Sequence, residues 1–511
     1  MTRFHNRRRF LKRVAAAGAA AGLAELSFVA GWPPVSAAEL EPLPGVVPLD
    51  PDIEPLVRLL EEAPRDRLLE EVAQRVRGGL SYREVLTALL LAGVRNVQPR
   101  PSVGFKFHAV LVVNSVHLAA AASPENERWL PLFWALDYFK EAQAQDVREG
   151  NWTMRPVDNS AVPPADKARK AFLAAMDRWD ESAADVAVAG LARTAPAKDV
   201  FELFYRLGAR DFRSIGHKAI FVAGAERLLQ FIGWQHAEPV LRSLAYALLM
   251  HEGGNPAERD DEADRPWRRH PELLKRLAGG LDGGKRDAGA TRELMATLRR
   301  ESHEAAAAQV VEVLSRGVAA QSVWDAIFCG AGELLLRQPG IVALHAVTTT
   351  NALHYAYQAS GDPQTRQLLV LQNAAFLPMF REAMRVRGPV AEAALDSLEP
   401  AESAAAGAEG AADVLATVSR DRRAAARKTL AYFAAAGEDA TLLNAARQAM
   451  VLKGNDAHDF KFGAAVLEDA AAVSPEWRGR FLAAGMLQLN GAGEPDSPTQ
   501  MRVPRLLGLP K

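Results

Sequence analysis

The chain has 511 residues, of which 49% are hydrophobic and 24% charged, with a formal net charge of −1. This balance argues against a general binder of nucleic acid or anionic membranes, because such proteins carry a basic excess. The single cysteine, Cys329, excludes an intramolecular disulfide, a multi-cysteine metal site and c-type haem attachment, and we expect it to be buried and inert. The length exceeds what one hydrophobic core usually supports, so two or more lobes are expected.

The first 37 residues have the features of a targeting segment. Residues 6–12 read NRRRFLK and resemble the twin-arginine (Tat) export motif. An apolar stretch from Val14 to Ala30 follows, and the small residues 35–37 suit cleavage before Ala38. The sequence therefore predicts export through the Tat translocation machinery to the periplasm or beyond.

Removal of this segment leaves an acidic protein. Residues 1–37 hold six of the 61 Lys and Arg residues and one of the 62 Asp and Glu residues, so the remainder carries a formal charge of −6. The apolar stretch is short, Gly-rich and interrupted by Glu25, which disfavours a membrane anchor. We expect a soluble mature protein without a transmembrane span, and no nucleic-acid partner.

An all-α fold is predicted for the rest of the chain. Apolar residues recur at spacings of three and four in Ala-, Leu-, Glu- and Arg-rich windows such as residues 55–62 and 427–433. His251 and His270, in or beside a Gly-, Asp- and Arg-rich connection, are expected to be solvated. In chain order the predicted parts are a Pro-rich leader (38–55), a helical unit (56–251), the connection (252–299), a second helical unit (300–492) and a C-terminal tail (493–511).

The two helical units are predicted to be copies of one ancestral unit, related by a pseudo-twofold arrangement. The pattern HAVxxxNxxH occurs at residues 108–117 and again at 345–354, an offset of 237. Histidine is only 11 of the 511 residues, so chance agreement is improbable. An offset of 241 relates three further pairs, namely 81–84 with 322–325, 139–142 with 380–383, and His217 with His458.

Local patterns place the starts of several helices. Ser81 with Glu84, and Ser322 with Asp325, have the spacing of capping boxes. Residues 105–113 and 343–350 are both assigned to helix. Asp456 and Asp459 suit either N-capping of a helix at His458 or a role beside that histidine.

Histidines and asparagines are the candidate functional residues, because standard phosphate-loop, dinucleotide, nucleophile-elbow and HExxH signatures are absent. Asn114 and His117 lie about 60° apart on one helical face. His108 and His117 lie on opposite faces of an unbroken helix, so a chelate between them is not proposed. We instead expect His117 or His354 to meet His217 or His458 in a shared cavity.

The second copy is the more polar, which makes it the better candidate for an active half. We predict His354 and His458 as catalytic residues, with imidazoles acting as metal ligands or as general acid and base. A His-ligated metal is one possible cofactor, and its identity is left open. The other predicted cofactor-binding residues are His345, Asn351, His108, Asn114, His117 and His217.

Three short stretches are similar to motifs of the questin oxidase-like helical family. They are His345–Thr348 with Asn351 and His354 downstream, Gly216–Ala219, and the Asn114 to His117 stretch. Members of that family are associated with Baeyer–Villiger-type oxidation of polyketide anthraquinones. The resemblance implies an oxidative enzyme acting on a small organic substrate, and we transfer no catalytic residue from it.

Two functional hypotheses follow. The first is an exported oxidoreductase that uses a metal or another bound cofactor. The second is a non-catalytic exported helical protein that binds a ligand or acts as a scaffold, in which the repeated histidines cap helices or satisfy buried carbonyls.

Overall fold

The computed structural model describes residues 45–100, 106–277, 281–435 and 439–509. The all-α prediction is confirmed, because these residues form helices and no named strand, with one isolated bridge between Lys285 and Val318. The predicted Tat segment and the first part of the predicted leader lie outside the described residues. None of the helices within the described ranges is long and apolar enough to cross a membrane.

The first half of the chain contributes eleven α-helices among the described residues. These are α1 Glu54–Glu62, α2 Arg65–Arg77, α3 Tyr82–Asn96, α4 His108–Leu111, α5 Val113–Ala121, α6 Trp129–Glu149, α7 Ala165–Arg178, α8 Glu181–Thr194, α9 Ala197–Ala209, α10 His217–Ile232 and α11 Ala237–Leu249.

The described residues of the second half are also helical. Cys329 lies in this half and is buried, as expected. Its helices are α12 Arg265–Leu274, α13 Ala288–Arg300, α14 His303–Ser315, α15 Ala320–Arg337, α16 Ile341–Ala359, α17 Pro363–Arg385, α18 Gly407–Val418, α19 Arg422–Ala434, α20 Asp439–Lys453, α21 Ala457–Ala472, α22 Pro475–Gly485 and α23 Pro498–Leu507.

The middle of the fold is formed by helices that are buried almost all round. In α16 every residue from 342 to 354 is buried, including three threonines, and this helix packs against α10, α15, α17 and α21. A helix without a polar face belongs in the interior of a large protein. Helix α16 therefore belongs to the buried core of the described chain.

Capping explains where some of these helices begin. The capping box at Ser81 and Glu84 is confirmed, with Ser81 Oγ accepting from the Glu84 amide and Glu84 Oε2 accepting from the Ser81 amide. The capping box predicted at Ser322 and Asp325 is wrong. Helix α15 already begins at Ala320, and the Ser322 hydroxyl accepts instead from the Asp287 amide.

The predicted connection and tail contain regular structure. Helix α12 lies within residues 252–299, α13 begins in this range and ends at Arg300, and α23 lies within the tail and packs against α2 and α6. The expectation that His270 is solvated is wrong, since it is 1% exposed where α12 packs against α14 and α17. Amphipathic packing of α12 places this histidine on the inner side of the helix, whereas Arg268, Arg269 and Glu272 are exposed.

Candidate metal centre

Three helices and the α4–α5 segment, in which α4 carries His108, hold the central histidines and pack as a closed ring. Helix α5 contacts α10, α10 contacts α16, α16 contacts α21, and α21 contacts α5. The short α4 leads into α5, and Val112 between them keeps right-handed helical angles. The two helices of each predicted copy are neighbours in the ring, and the proposed equivalents, α5 with α16 and α10 with α21, lie across it from each other.

Three imidazoles meet inside this ring. The Nε2 atom of His217 lies 2.8 Å from Nε2 of His108 and 2.9 Å from Nε2 of His345. His108 is 2% exposed, and the other two rings are fully buried. One nitrogen from each ring lies within 4.8 Å of the other two, a spacing that suits a shared metal ion.

Backbone carbonyls fix the tautomers of two of these rings. His217 Nδ1 is 2.7 Å from the Ser214 carbonyl oxygen, and His345 Nδ1 is 2.7 Å from the Ile341 carbonyl oxygen. A carbonyl oxygen only accepts, so each Nδ1 carries the proton, and in the neutral ring Nε2 keeps a lone pair. Two such lone pairs face each other at 2.9 Å, which is unfavourable unless a cation or proton lies between them.

Burial keeps these rings neutral. It lowers the pKa of His108, His217 and His345 well below the usual value of a histidine, and the positive charge of Lys461 lowers all three further. The neighbouring imidazoles act in the same direction, because two cations cannot share this space. Neutral imidazole is the form that binds metal ions.

A fourth imidazole, His458, completes the cluster. Its ring centre lies 4.6 Å from that of His108 and 5.2 Å from that of His345. Asp456 Oδ1 is 2.6 Å from its Nδ1, and the same oxygen accepts from the His458 amide at the start of α21. His458 Nε2 is buried and has no hydrogen-bond partner among the described residues. A carboxylate that hydrogen-bonds to the second nitrogen of an imidazole in this way commonly orients metal-binding histidines.

The N-capping alternative for Asp456 is confirmed along with this contact. Asp456 and Asp459 form a capping box at the start of α21. One carboxylate therefore both starts the helix and orients the ring that the helix carries. Because the cap and the imidazole share an oxygen, the position of His458 is tied to the first turn of α21.

The chain approaches His217 through a strained turn. Ser214, Ile215 and Gly216 all have positive φ, at 59°, 43° and 84°. Such angles are uncommon for serine and are a genuine outlier for the β-branched isoleucine. A Cβ on Gly216 would lie 1.8 Å from Thr349 Oγ1, so only glycine fits against α16 here. The turn aims the Ser214 carbonyl at the His217 ring, and strain of this kind is characteristic of functional sites.

A buried lysine lies against the same ring. Lys461 Nζ is 3.5 Å from His217 Nε2, and the side chain is 3% exposed. Burial lowers the pKa of Lys461 to about 7, although the negative charge of Asp456 opposes this shift. Sequence analysis missed Lys461, because the predicted first copy has Ile220 at the equivalent position and offers no matching signal.

His354, the first predicted catalytic residue, lies in a different environment. Its ring centre is 4.7 Å from that of Trp324 and 4.9 Å from that of Phe328, with Tyr357 stacked beside it at 6.2 Å. Burial lowers the pKa of His354 to about 4. The expected meeting of His354 with His458 does not occur, because the two rings pack in different clusters.

His117 has a comparable aromatic setting on the other side of the fold. Its ring centre lies 4.3 Å from that of Phe231, and its Nδ1 lies 3.4 Å from the Tyr82 hydroxyl. Burial lowers its pKa to about 4. The expectation that His117 meets His217 is therefore not met, and His108 takes that place.

The two asparagines of the repeated pattern differ from each other. Asn351 donates to Glu468 Oε2 and to Asp469 Oδ1, both at 2.8 Å. Asn114 packs against Gly224, and its Oδ1 is buried without a hydrogen-bond partner in the described chain. Both asparagines contact a neighbouring helix, Asn351 on α21 and Asn114 on α10.

An ion pair joins two positions that are equivalent in the predicted duplication. Arg227 donates to Glu468 at 2.7 Å, and these residues are 241 apart in the chain. Equivalent residues of two copies meet only near the axis that relates them. The contact therefore fits the predicted pseudo-twofold arrangement, in which the histidine cluster would also lie near the axis.

A separate cavity of about 610 Å³ lies beside the entry to α4. Its walls include Lys106, Asp146, Arg242 and Tyr246, and none of the predicted site residues lines it. Lys106 Nζ lies 2.8 Å from Asp146 Oδ1. This ion pair fixes one wall of the cavity at a position two residues before His108.

No family model matches this chain, and neither the curated proteins nor the solved structures include a match to it.

Proposed function

We propose that the protein is an exported, metal-dependent oxidoreductase whose metal is held at the histidine cluster. His108, His217 and His345 would bind through Nε2, and His458 would supply a fourth nitrogen. The carrying observation is the pair of anchored rings, His217 and His345, whose unprotonated Nε2 atoms face each other at 2.9 Å. A metal ion among these atoms replaces their repulsion with two coordinate bonds.

The geometry requires only small adjustments to accept such an ion. Metal–imidazole bonds of about 2.0–2.1 Å place tetrahedral nitrogen ligands roughly 3.3 Å apart. The observed separations from His217 Nε2 are 2.8 and 2.9 Å, so the rings would move outward by a few tenths of an ångström. The hydrogen bonds from His217 and His345 to carbonyl oxygens keep each ring aimed during this movement.

The donor set restricts the choice of metal. Neutral imidazoles suit zinc, copper, iron and nickel, whereas magnesium and calcium prefer oxygen ligands. Copper and iron would supply one-electron chemistry at the centre. The chain's own contribution would be to hold the rings, exclude water and supply the Lys461 and Asp456 charges beside them.

The support for oxidative activity and for export comes from the sequence. The Tat-like segment supports export in a folded, already loaded state, and the resemblance to questin oxidase-like proteins supports oxidation of a small organic substrate. The cavity beside Lys106 is a candidate place for that substrate, because its wall continues into the segment that carries His108.

The second candidate is a non-catalytic helical protein with a structural metal. The observation that favours it is burial, since His108, His217 and His345 are at most 2% exposed. A metal at this point would join four helices and add its binding free energy to folding. Zinc would be the expected ion, because structural zinc sites are closed on all sides by protein ligands.

Metal analysis of protein matured through its own signal tests both candidates. The preparation would be examined by elemental analysis, electron paramagnetic resonance and optical absorption, beside a His217→Ala variant. Copper or iron near one ion per chain, lost in the variant, supports the oxidoreductase. Zinc in the same amount supports the structural role. A protein that takes up none of these metals, even when supplied after purification, would reject the metal centre.

A further inference from the structure

Lys461 faces the histidine cluster from the same side of α21 as His458. The two residues are three apart in the helix, which places them on one face. Lys461 Nζ lies 3.5 Å from His217 Nε2, while His458 lies against His108 and His345. The lysine therefore belongs to the inner wall of the cluster.

This lysine breaks the symmetry of the predicted duplication. The four imidazoles form two equivalent pairs, whereas Lys461 corresponds to Ile220 in the first copy. A cationic group is thus placed on one side of an otherwise balanced set of neutral rings. A ligand that contacts Lys461 would therefore lie on one defined side of the histidine cluster.

Within the described chain, Lys461 lacks the carboxylate contact that buried lysines normally have. Lys218 shows the usual arrangement, with Nζ 3.0 and 3.1 Å from the two oxygens of Asp211. Nζ of Lys461 instead has the His217 ring as its described hydrogen-bond partner. Asp456, the carboxylate that interacts with it electrostatically, already binds His458. A buried amine whose N–H donors lack acceptors is costly, so an additional hydrogen-bond acceptor beside Nζ is expected.

A metal at the cluster would leave this lysine free to bind something else. Coordination uses the lone pair of His217 Nε2, and Lys461 Nζ then loses the acceptor it has now. A second polar group nearby is also unsatisfied, because Thr349 Oγ1 is buried without a partner among the described residues. Thr349 lies one helical turn beyond His345 and beside Gly216.

From this arrangement we propose that Lys461 holds a small anion bound to the metal of the histidine cluster. The anion would be a monoanion that binds metals through nitrogen or oxygen, such as hydroxide or azide. One of its atoms would coordinate the metal as a fifth ligand beside the four imidazole nitrogens, and the lysine amine would donate a hydrogen bond to it. This inference rests on the proposed function, because it needs a metal at the cluster.

Azide binding to the cobalt-substituted protein tests the proposal without relying on activity. Cobalt(II) reports its ligands through visible absorption, so azide can be titrated directly. We expect the azide dissociation constant to rise at least about tenfold in Lys461→Met, the smaller effect expected for a lost hydrogen bond to a charged group. Lys461→Arg should retain most of the affinity, because it keeps the charge and the donor.

Two further variants keep the result interpretable. Lys140→Met removes another buried lysine, which contacts the Leu60 and Glu61 carbonyls, and should leave azide affinity unchanged. Lys461→Ile introduces the residue found at the equivalent position of the first copy and provides a second variant should methionine not pack.

The outcomes separate the two levels of the proposal. A wild-type protein that binds no cobalt overturns the metal centre and this inference together. A cobalt-loaded protein whose spectrum ignores azide, or whose Lys461→Met and Lys461→Ile variants bind azide as tightly as the wild type, overturns the role of Lys461 alone.

Discussion

Helix α16 carries two buried histidines in contrasting surroundings. His345 lies among imidazoles, with its Nδ1 anchored by the Ile341 carbonyl and its Nε2 directed at His217. His354 lies among aromatic rings, including those of Trp324 and Phe328. Burial lowers the pKa of both. The candidate metal ligand His345 and the packing residue His354 are therefore both buried and neutral. They differ in their neighbours, because His345 places a nitrogen beside another imidazole nitrogen and His354 does not.

The separation of the two histidines explains the difference. Nine residues correspond to about 900° of helical rotation, so the two side chains point in opposite directions. Only one of them can face a given centre. The same spacing separates His108 from His117, and the structure again brings the first histidine of the pattern into the cluster.

Metal content should distinguish the two regions most strongly. We expect His345→Ala to lower metal affinity at least about 100-fold, since even the loss of a group that only hydrogen-bonds to a metal ligand costs about 10–100-fold. His354→Ala, the matched change on the same helix, should retain the metal. Elemental analysis after dialysis against a weak chelator measures both. Equal retention in the two variants would remove the distinction on which the proposed centre depends.

The turn before His217 offers a test of how the centre is held. Gly216→Ala should destabilise the protein by roughly 2–4 kcal/mol, from a left-handed φ for alanine and a collision with Thr349. Gly508→Ala is the matched control, because Gly508 also has positive φ but an added Cβ there meets nothing within 4 Å. It should lose only about 1 kcal/mol.

Urea unfolding curves and metal titrations would be recorded for both glycine variants. The Gly216 variant should also bind metal more weakly, because the turn positions the carbonyl that orients His217. If the Gly216→Ala and Gly508→Ala variants had the same free energy of unfolding, the contact with Thr349 would have relaxed without any cost in stability.

Much of the fold and part of the candidate site could be read from the sequence. Apolar spacing predicted the helices, and the repeated pattern singled out six histidines, among them the four of the cluster, His108, His217, His345 and His458. The pattern could not tell which histidine of each pair faces inward, because that depends on the packing around α16. Lys461 was missed since one position in one copy leaves no repeated signal.

The strained turn was missed for a different reason. Serine and isoleucine do not favour positive φ, so Ser214 and Ile215 give no local sign of it. Tertiary contacts between this turn and α16 impose the conformation. Features that oppose local preference are therefore the ones that sequence patterns hide, and here they lie beside the histidine cluster.

The pH dependence of stability tests the aromatic surroundings of His354. The pKa of His354 is lowered to about 4 in the folded protein, against about 6.5 when unfolded. Its neutral form is present in both states above pH 6.5, so its contribution to stability is complete there. That contribution falls as the pH drops from 6.5 towards 4, because the unfolded state takes up the proton first.

We expect His354→Phe to remove this acid sensitivity. At pH 4.5 the wild type should have lost roughly 2–3 kcal/mol through this residue, and the variant should lose correspondingly less between pH 7 and 4.5. His270→Phe is a parallel case, since burial also lowers the pKa of His270 to about 4. Urea unfolding at the two pH values, on metal-free protein, measures the difference. If the free energy of unfolding changed equally with pH in the wild type and the variants, protonation of these two rings would have no effect on stability.

The smallest predicted effect separates the two roles of Asp456. Asp456→Asn should keep the N-cap of α21, because asparagine caps as well as aspartate, but it removes the charge beside His458 Nδ1. Metal affinity should fall about 10–100-fold, as for other carboxylates that orient a metal-binding imidazole, with little change in the urea midpoint of the metal-free protein. Asp421→Asn, at the N-cap of α19, is the matched control and should change neither quantity appreciably. An Asp456→Asn variant that binds metal as tightly as the wild type would mean that the carboxylate serves the helix alone, and that His458 is held in the cluster by packing.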